Sequence, residues 1–169
     1  NQVRFIVDAM GGVTENVYDG GGNVIMNVRY ATAPTLSAYD EGTINGAVDR
    51  SNVANQVTHF AYDAADQLRY TLRVLSSDKQ LLTEQVHDAV GRLVSTRAYS
   101  TALNLATFQP ADYTVANIAS KIVASDSTDR QTRIIYDPAG REAYILQSLG
   151  VNAGSVQYAV TANSYDAMG

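Results

Sequence analysis

Apolar and polar side chains alternate one by one through much of the chain. Val24, Met26, Val28 and Tyr30 fall on one parity, with Asn23, Asn27 and Arg29 on the other. Leu68, Tyr70, Leu72 and Val74 likewise oppose Gln67, Arg69, Thr71 and Arg73. Adjacent residues of a strand point to opposite faces, so this period of two predicts half-buried antiparallel strands. Thr58-His59-Phe60-Ala61-Tyr62 and Thr132-Arg133-Ile134-Ile135-Tyr136 add β-branched and aromatic runs. The run after Gly91 is less regular, because Leu93 and Val94 are adjacent. The pattern predicts a mainly β chain of tandem hairpins.

The runs are punctuated by one recurring dipeptide. Tyr-Asp occurs at Tyr18-Asp19, Tyr62-Asp63, Tyr136-Asp137 and Tyr165-Asp166, with Val7-Asp8 and His87-Asp88 as variants. Gly stands three residues after the Asp at Gly11, Gly22, Gly91, Gly140 and Gly169, and Asp66 replaces it after Asp63. A fifth dipeptide, Tyr39-Asp40, has its Gly one place early and is read as chance. Asp at the first turn position can bond its side chain to an amide two residues on. Pro138 fits the second position of a type I turn. Gly then supplies the left-handed residue that closes a hairpin through a bulge, and Asp tolerates that conformation better than most residues. Basic or amide residues follow at Asn23, Gln67, Arg92 and Arg141.

This grammar resembles the YD-repeat family, also called Rhs repeats, of bacterial polymorphic toxins, toxin-complex shells and teneurins. The closest matches are Tyr62-Asp63-Ala64-Ala65-Asp66-Gln67-Leu68, His87-Asp88-Ala89-Val90-Gly91-Arg92-Leu93 and Tyr136-Asp137-Pro138-Ala139-Gly140-Arg141. The resemblance implies a β-sheet ribbon that spirals into a shell, often around a toxic C-terminal segment, in a secreted or cell-surface bacterial protein. It implies a structural role as wall or fibre material, with neighbouring repeat segments as partners and an enclosed toxin or a surface ligand beyond them. An adhesive module that recognises glycan or protein through its insertions or its Tyr face is the alternative. Such toxins often end their shell in an autoprotease segment around Asp-Pro-x-Gly-Leu. Here Arg141 stands where that Leu is expected, so Asp137-Pro138-Ala139-Gly140 is read as another turn.

The spacing of the turns is uneven. Asp63 to Asp88 and Asp137 to Asp166 leave room for two strands and a second turn, at Ser76-Ser77-Asp78-Lys79 and Asn152-Ala153-Gly154-Ser155. The longer intervals carry insertions, about 31–56 and 100–130, within a single segment spanning 1–169. Thr58, Phe60, Tyr62, Tyr70 and Leu72 align with Thr132, Ile134, Tyr136, Tyr144 and Leu146, which marks a longer unit of about 70 residues. In the second insertion Val115, Ile118, Ala119 and Ile122 fall at helical spacing behind Pro110, which predicts a short helix over about 113–124. The first, Thr35 to Val48, has the same Pro-then-Leu opening, and a helix is expected there too, although it carries Gly42 and Gly46. Both insertions are expected on the same edge or face of the sheet, with the Val115/Ile118/Ile122 stripe against it.

Composition narrows the chemistry. Of 169 residues 12 are basic and 17 acidic, a net charge of −5, which excludes a binder driven by phosphate neutralisation. There is no Cys, so disulfides, zinc thiolates and cysteine nucleophiles drop out. The longest apolar run, Ala143 to Leu146, is far too short to span a membrane. His59 and His87 lie in strand runs and are read as structural, His87 in the Tyr place of the repeat. Asp126-Ser127-Thr128-Asp129 lacks the alternating ligands of a calcium loop and reads as a solvated loop. Gly20-Gly21-Gly22 leads into a strand, unlike a dinucleotide loop. No catalytic residue, cofactor or metal site is expected. The 11 Tyr are read as rungs packed along the sheet. Joined tail to head, Tyr165-Asp166-Ala167-Met168-Gly169 and Asn1-Gln2-Val3 restore the turn grammar, with Asn1 in the place after Gly. Segments are therefore expected to stack end to end in a longer array.

Overall fold

The structure, a computed structural model, describes residues 2–166. The turn position assigned to Gly169 lies outside the described residues. The chain is mainly β. Its strands are β1 (Phe5–Val7), β2 (Val13–Tyr18), β3 (Val24–Arg29), β4 (Gln56–Tyr62), β5 (Leu68–Val74), β6 (Lys79–His87), β7 (Leu93–Ala98), β8 (Leu103–Asn104), β9 (Arg130–Tyr136), β10 (Glu142–Asn152) and β11 (Ser155–Ala162). All pair antiparallel in one 11-stranded sheet that follows chain order from β1 to β11. The exception is β8, which pairs with the start of β6, so β9 lies beside β7.

Strands that alternate direction in chain order sort their turns between two ends of the sheet. The turns at Asp19, Asp63, Asp88 and Asp137 share one end. The turn at Asp8, both insertions, and the links at Ser76 and Asn152 share the other. The Asp8 turn therefore has the grammar of the repeat but sits at the opposite end. At Asn152 the two-residue turn has Ala153 at φ 49° and Gly154 at φ 80°. Two positive angles in succession make it type I′, whose twist matches the strands it joins.

Cross-strand partners share a face, and the register places Phe5, Val7, Val13, Glu15, Met26, Val28, Val57, His59, Ala61, Tyr70, Leu72, Leu82 and Glu84 on one of them. Both insertions fold back over that face, as expected. The first buries Tyr30 and Ile44 with Val13 and Val28. The second buries Tyr99, Leu103, Leu105 and Ile118 with Ala61, Tyr70, Leu72 and Leu82, and Val115 and Ile122 pack against the same cluster. A broad sheet with one covered face keeps the other wet, which accounts for the polar parity of the strands.

Three local details differ from the sequence expectations. The second insertion's helix, α2 (Val115–Ala119), is shorter than 113–124. Thr114 caps it by accepting a hydrogen bond from the Asn117 amide, and the Ser120 hydroxyl donates to the Asn117 carbonyl and closes it. Ile122 still reaches the core, through a tighter turn in which its amide bonds the Ala119 carbonyl. The first insertion forms its expected helix, α1 (Glu41–Ala47), but the reading of Tyr39-Asp40 as chance is corrected there. Asp40 is its cap and accepts from the amide and hydroxyl of Thr43. Finally, the loop expected to be solvated holds a buried carboxylate. Asp129 accepts from Arg97, from the amide and hydroxyl of Ser100 and from the Ser125 amide, which ties the end of the second insertion to β7.

Candidate functional site

The five complete Asp turns are built alike. The Gly11, Gly22, Asp66, Gly91 and Gly140 amides each donate to the carbonyl of the turn's Asp, at 2.9–3.2 Å. One carboxylate oxygen of the Asp also accepts the amide four residues on: Gly12, Asn23, Gln67, Arg92 and Arg141, at 2.8–3.0 Å. These last amides hold the Asp19, Asp63, Asp88 and Asp137 carboxyls below the usual carboxylate range. The closing residue is left-handed in every case, Asp66 included, at φ 56°. Gly91→Val will therefore cost on the order of 1–2 kcal/mol, since φ is +86° and a new Cβ would also sit 3.3 Å from Gln67 Nε2. Asp66→Gly will be neutral or stabilising. Urea denaturation of both variants checks this, and equal losses would refute the shared geometry.

Past four of these turns the strand carries a bulge, which β2, past the Asp8 turn, lacks. Tyr18, Tyr62, His87 and Tyr136 pair with Val24, Leu68, Leu93 and Glu142, but the preceding residue pairs two positions further on. The bulge opens a carbonyl toward the neighbouring hairpin, and the motif Tyr fills it. Tyr62 donates its hydroxyl to the Val24 carbonyl at 3.0 Å, Tyr136 to Leu93 at 2.9 Å, Tyr165 to Glu142 at 2.9 Å and Tyr18 to Val3 at 2.8 Å. His87 has no hydroxyl with which to repeat this.

The residue after the turn completes the link. Arg92 bonds Asp88 through Nε and lies 4.4 Å over the Tyr136 ring, and Arg141 bonds Asp137 and lies 4.3 Å over Tyr165. Asn23 donates to both Asp19 and Asp66. Except where His87 replaces Tyr, each hairpin is thus tied to the next by a Tyr hydroxyl and, at two links, by a guanidinium stacked on the same ring. The expected aromatic rungs are corrected here. Among the described residues the motif rings Tyr136 and Tyr165 meet arginines, and the rings that pair with one another are His59 with Tyr113 and Phe108 with Tyr113. Gln2 stands where Asn23, Gln67 and Arg92 stand, because Val3 takes the Tyr18 hydroxyl and Gln2 Nε2 lies over Gly22. The place assigned to Asn1 therefore falls one residue later, and Asn1 itself lies outside the described residues.

The covered face holds a second repeated device, which the sequence reading missed. Glu15 is buried and accepts from Arg4, Arg50 and the Tyr30 hydroxyl. Glu84 accepts from Arg69 and from the Tyr99 hydroxyl at 2.6 Å. Tyr30 and Tyr99 directly follow β3 and β7, just ahead of the two insertions, so each clamp pins an insertion where it leaves the sheet. Burial raises the Glu15 pKa, but the hydrogen bonds from Tyr30, Arg4 and Arg50 outweigh it and hold the carboxyl below its usual range. Burial and the bond to Glu15 push the Tyr30 hydroxyl up to about 12. The signal was present in the spacing: Glu15, Tyr30 and Leu36 recur 69 residues on as Glu84, Tyr99 and Leu105.

His59 lies under the second insertion, its ring stacked on Tyr113 at 3.8 Å between centroids. Gln80 beside them donates to the Tyr113 hydroxyl at 2.6 Å. Burial lowers the His59 pKa from 6.5 to about 4. Above pH 6.5 the ring is neutral in folded and unfolded chains. Below it the unfolded chain takes up a proton that the folded chain refuses until about pH 4, so stability falls with pH across that window. We expect a loss of about 2 kcal/mol between pH 6.5 and 5 from this group, at about 1.4 kcal/mol per pH unit. His59→Phe, which keeps a ring against Tyr113, should remove that slope from urea midpoints measured against pH; an unchanged slope would refute it.

These groups are dispersed. Among the described residues, no three His, Cys, Asp or Glu side chains form a group that could hold a metal ion. His87 and Asp88 are adjacent in the chain, but Asp88 is committed to its turn and to Arg92. No helix among the described residues is long and apolar enough to cross a membrane. No family model and no curated protein matches the chain.

Proposed function

We propose that the chain is a structural segment of a large secreted or cell-surface YD-repeat protein, supplying wall or fibre material for a shell or an extended scaffold. The observation that carries this reading is a register independent of what links the strands. The residue three before each motif Tyr, or before His87, pairs with the residue two beyond the bulge carbonyl: Glu15 with Phe5, His59 with Met26, Glu84 with Tyr70, Arg133 with Ser95, Ala162 with Tyr144. The intervening links range from short turns to whole insertions. A sheet whose register is written into each hairpin can be lengthened hairpin by hairpin, as wall material must be.

The adhesive alternative has less behind it. Its tyrosine face would offer ring edges and hydroxyls to a ligand, whereas Tyr18, Tyr62, Tyr136 and Tyr165 donate their hydroxyls to main-chain carbonyls of the sheet. Two experiments separate the readings. Electron cryo-microscopy of the intact parent protein should find this segment as consecutive strands of a continuous wall or fibre. Saturable, competable binding on a glycan array, with the segment standing free of any wall, would overturn the proposal in favour of adhesion.

A further inference from the structure

The covered face is not covered throughout. Val13, Leu82 and Val160 each stand five residues before a motif position, Tyr18, His87 and Tyr165, the first, third and fifth of the series, and Tyr70 and Tyr144 each stand seven residues after a turn Asp. Val13 and Leu82 are 0% and 1% exposed, but Val160 is 60% exposed; Tyr70 is 3% exposed and Tyr144 46%. Ala61 and Ile135, both just before the motif Tyr, differ likewise at 2% and 48%. The apolar pattern of the face runs on through β9, β10 and β11, while the segment that buries it does not.

We propose that the β9–β11 part of this face is a docking surface for a third covering segment, built like the two the chain already makes and supplied by another repeat unit. This rests on the repeat reading above. The chemistry of the occupant follows from the two precedents and from what the third site lacks. Each existing cover brings a Tyr, a Leu six residues later and an Ile on a short helix: Tyr30, Leu36 and Ile44, then Tyr99, Leu105 and Ile118. At the third site Ala143 and Ala162 replace the Arg69 and Glu84 of the clamp. The occupant is therefore held by apolar contact without a buried ion pair. Arg133 stands at the His59 position, exposed, 5.8 Å from the Tyr158 ring. His59 meets an aromatic ring of its cover, Tyr113. A guanidinium also stacks on aromatic faces, so a ring at the same place of the third cover would satisfy Arg133.

The test is a titration of the full chain with a synthetic peptide of residues 99–129, followed by NMR. The expected result is saturable shifts at Ile135, Tyr144, Leu146 and Val160. Val160→Asp in the chain should weaken binding at least ten-fold, as should Tyr113→Ala in the peptide. No saturable binding, or equal binding of a scrambled peptide, would overturn the proposal. So would a concentration-dependent dimer abolished by Val160→Asp, because the occupant would then be a second copy. The titration does not depend on how the parent protein assembles. Its failure would leave the wall reading standing, and a free-standing parent seen by microscopy would leave the titration result intact.

Discussion

Ile118→Ala will cost about 3 kcal/mol of stability, and Val123→Ala, five residues on, will cost less than about 0.5 kcal/mol. Both residues belong to the second insertion and look alike in the sequence. Ile118 is fully buried between Tyr99, Leu103, Leu105 and the sheet residues Leu72 and Leu82, whereas Val123 is 71% exposed. Truncating Ile118 removes its apolar contacts and leaves a cavity whose walls are held by the sheet on one side and can collapse only from the insertion side. Urea denaturation midpoints at constant slope decide the matter. Equal losses in the two variants would mean that the insertion is not anchored through this side chain, and the account of the covered face would fail with it.

The turns were legible because their signal is local. An Asp followed three residues later by Gly requires only that the backbone close on itself, and Gly11, Gly22, Gly91 and Gly140 all have the positive φ that this demands. Asp66 could be read as a substitute for the same reason. The placement of both insertions on one face was legible from register. The clamps were not, because a bulge stands between parity and face. Arg69 alternates with Leu68 and Tyr70 and reads as a residue of the wet face, yet it bonds Glu84 on the covered one. Arg4 reaches Glu15 in the same way. An extra residue in one strand re-aims the side chains around it, and period-two counting does not register that. The helix over 113–124 was overextended for a related reason. Helical spacing continues to Ile122, but the Ser120 hydroxyl competes for a helix carbonyl and the chain tightens first. The Tyr positions were found and their chemistry misread. Recurrence shows that a residue matters to the repeat, but not whether its ring or its hydroxyl makes the contact.

Removing one end of a clamp will hurt more than removing both. Glu15→Leu strips a shared partner from Arg4, Arg50 and Tyr30 together, leaving Arg4 with Glu41 and Asn45 and Arg50 with Asn45. Breaking a buried pair from one side costs about 3–5 kcal/mol. Arg4 and Arg50 retain 42% and 47% side-chain exposure and can turn to water, so the loss belongs at the lower end of that range, near 3 kcal/mol. The Tyr30 hydroxyl has no such route, since Tyr30 is only 5% exposed. Glu15→Leu combined with Tyr30→Phe leaves no buried polar atom stranded and should recover about 1–2 kcal/mol, because an unsatisfied buried hydroxyl costs about that much. The pH dependence has its own sign. The folded Glu15 carboxyl titrates below its unfolded value, so its contribution is complete above the unfolded pKa, near 4.5, and is lost as pH falls through the folded one. Stability measured against pH should therefore lose part of its acid limb in Glu15→Leu. The parallel change at Glu84, paired with Tyr99→Phe, should show the same partial rescue, because Tyr99 is equally buried and bonds its Glu at 2.6 Å. If the double variants are no more stable than the single ones, the tyrosine hydroxyls are not part of the clamp. The 69-residue recurrence would then mark packing alone.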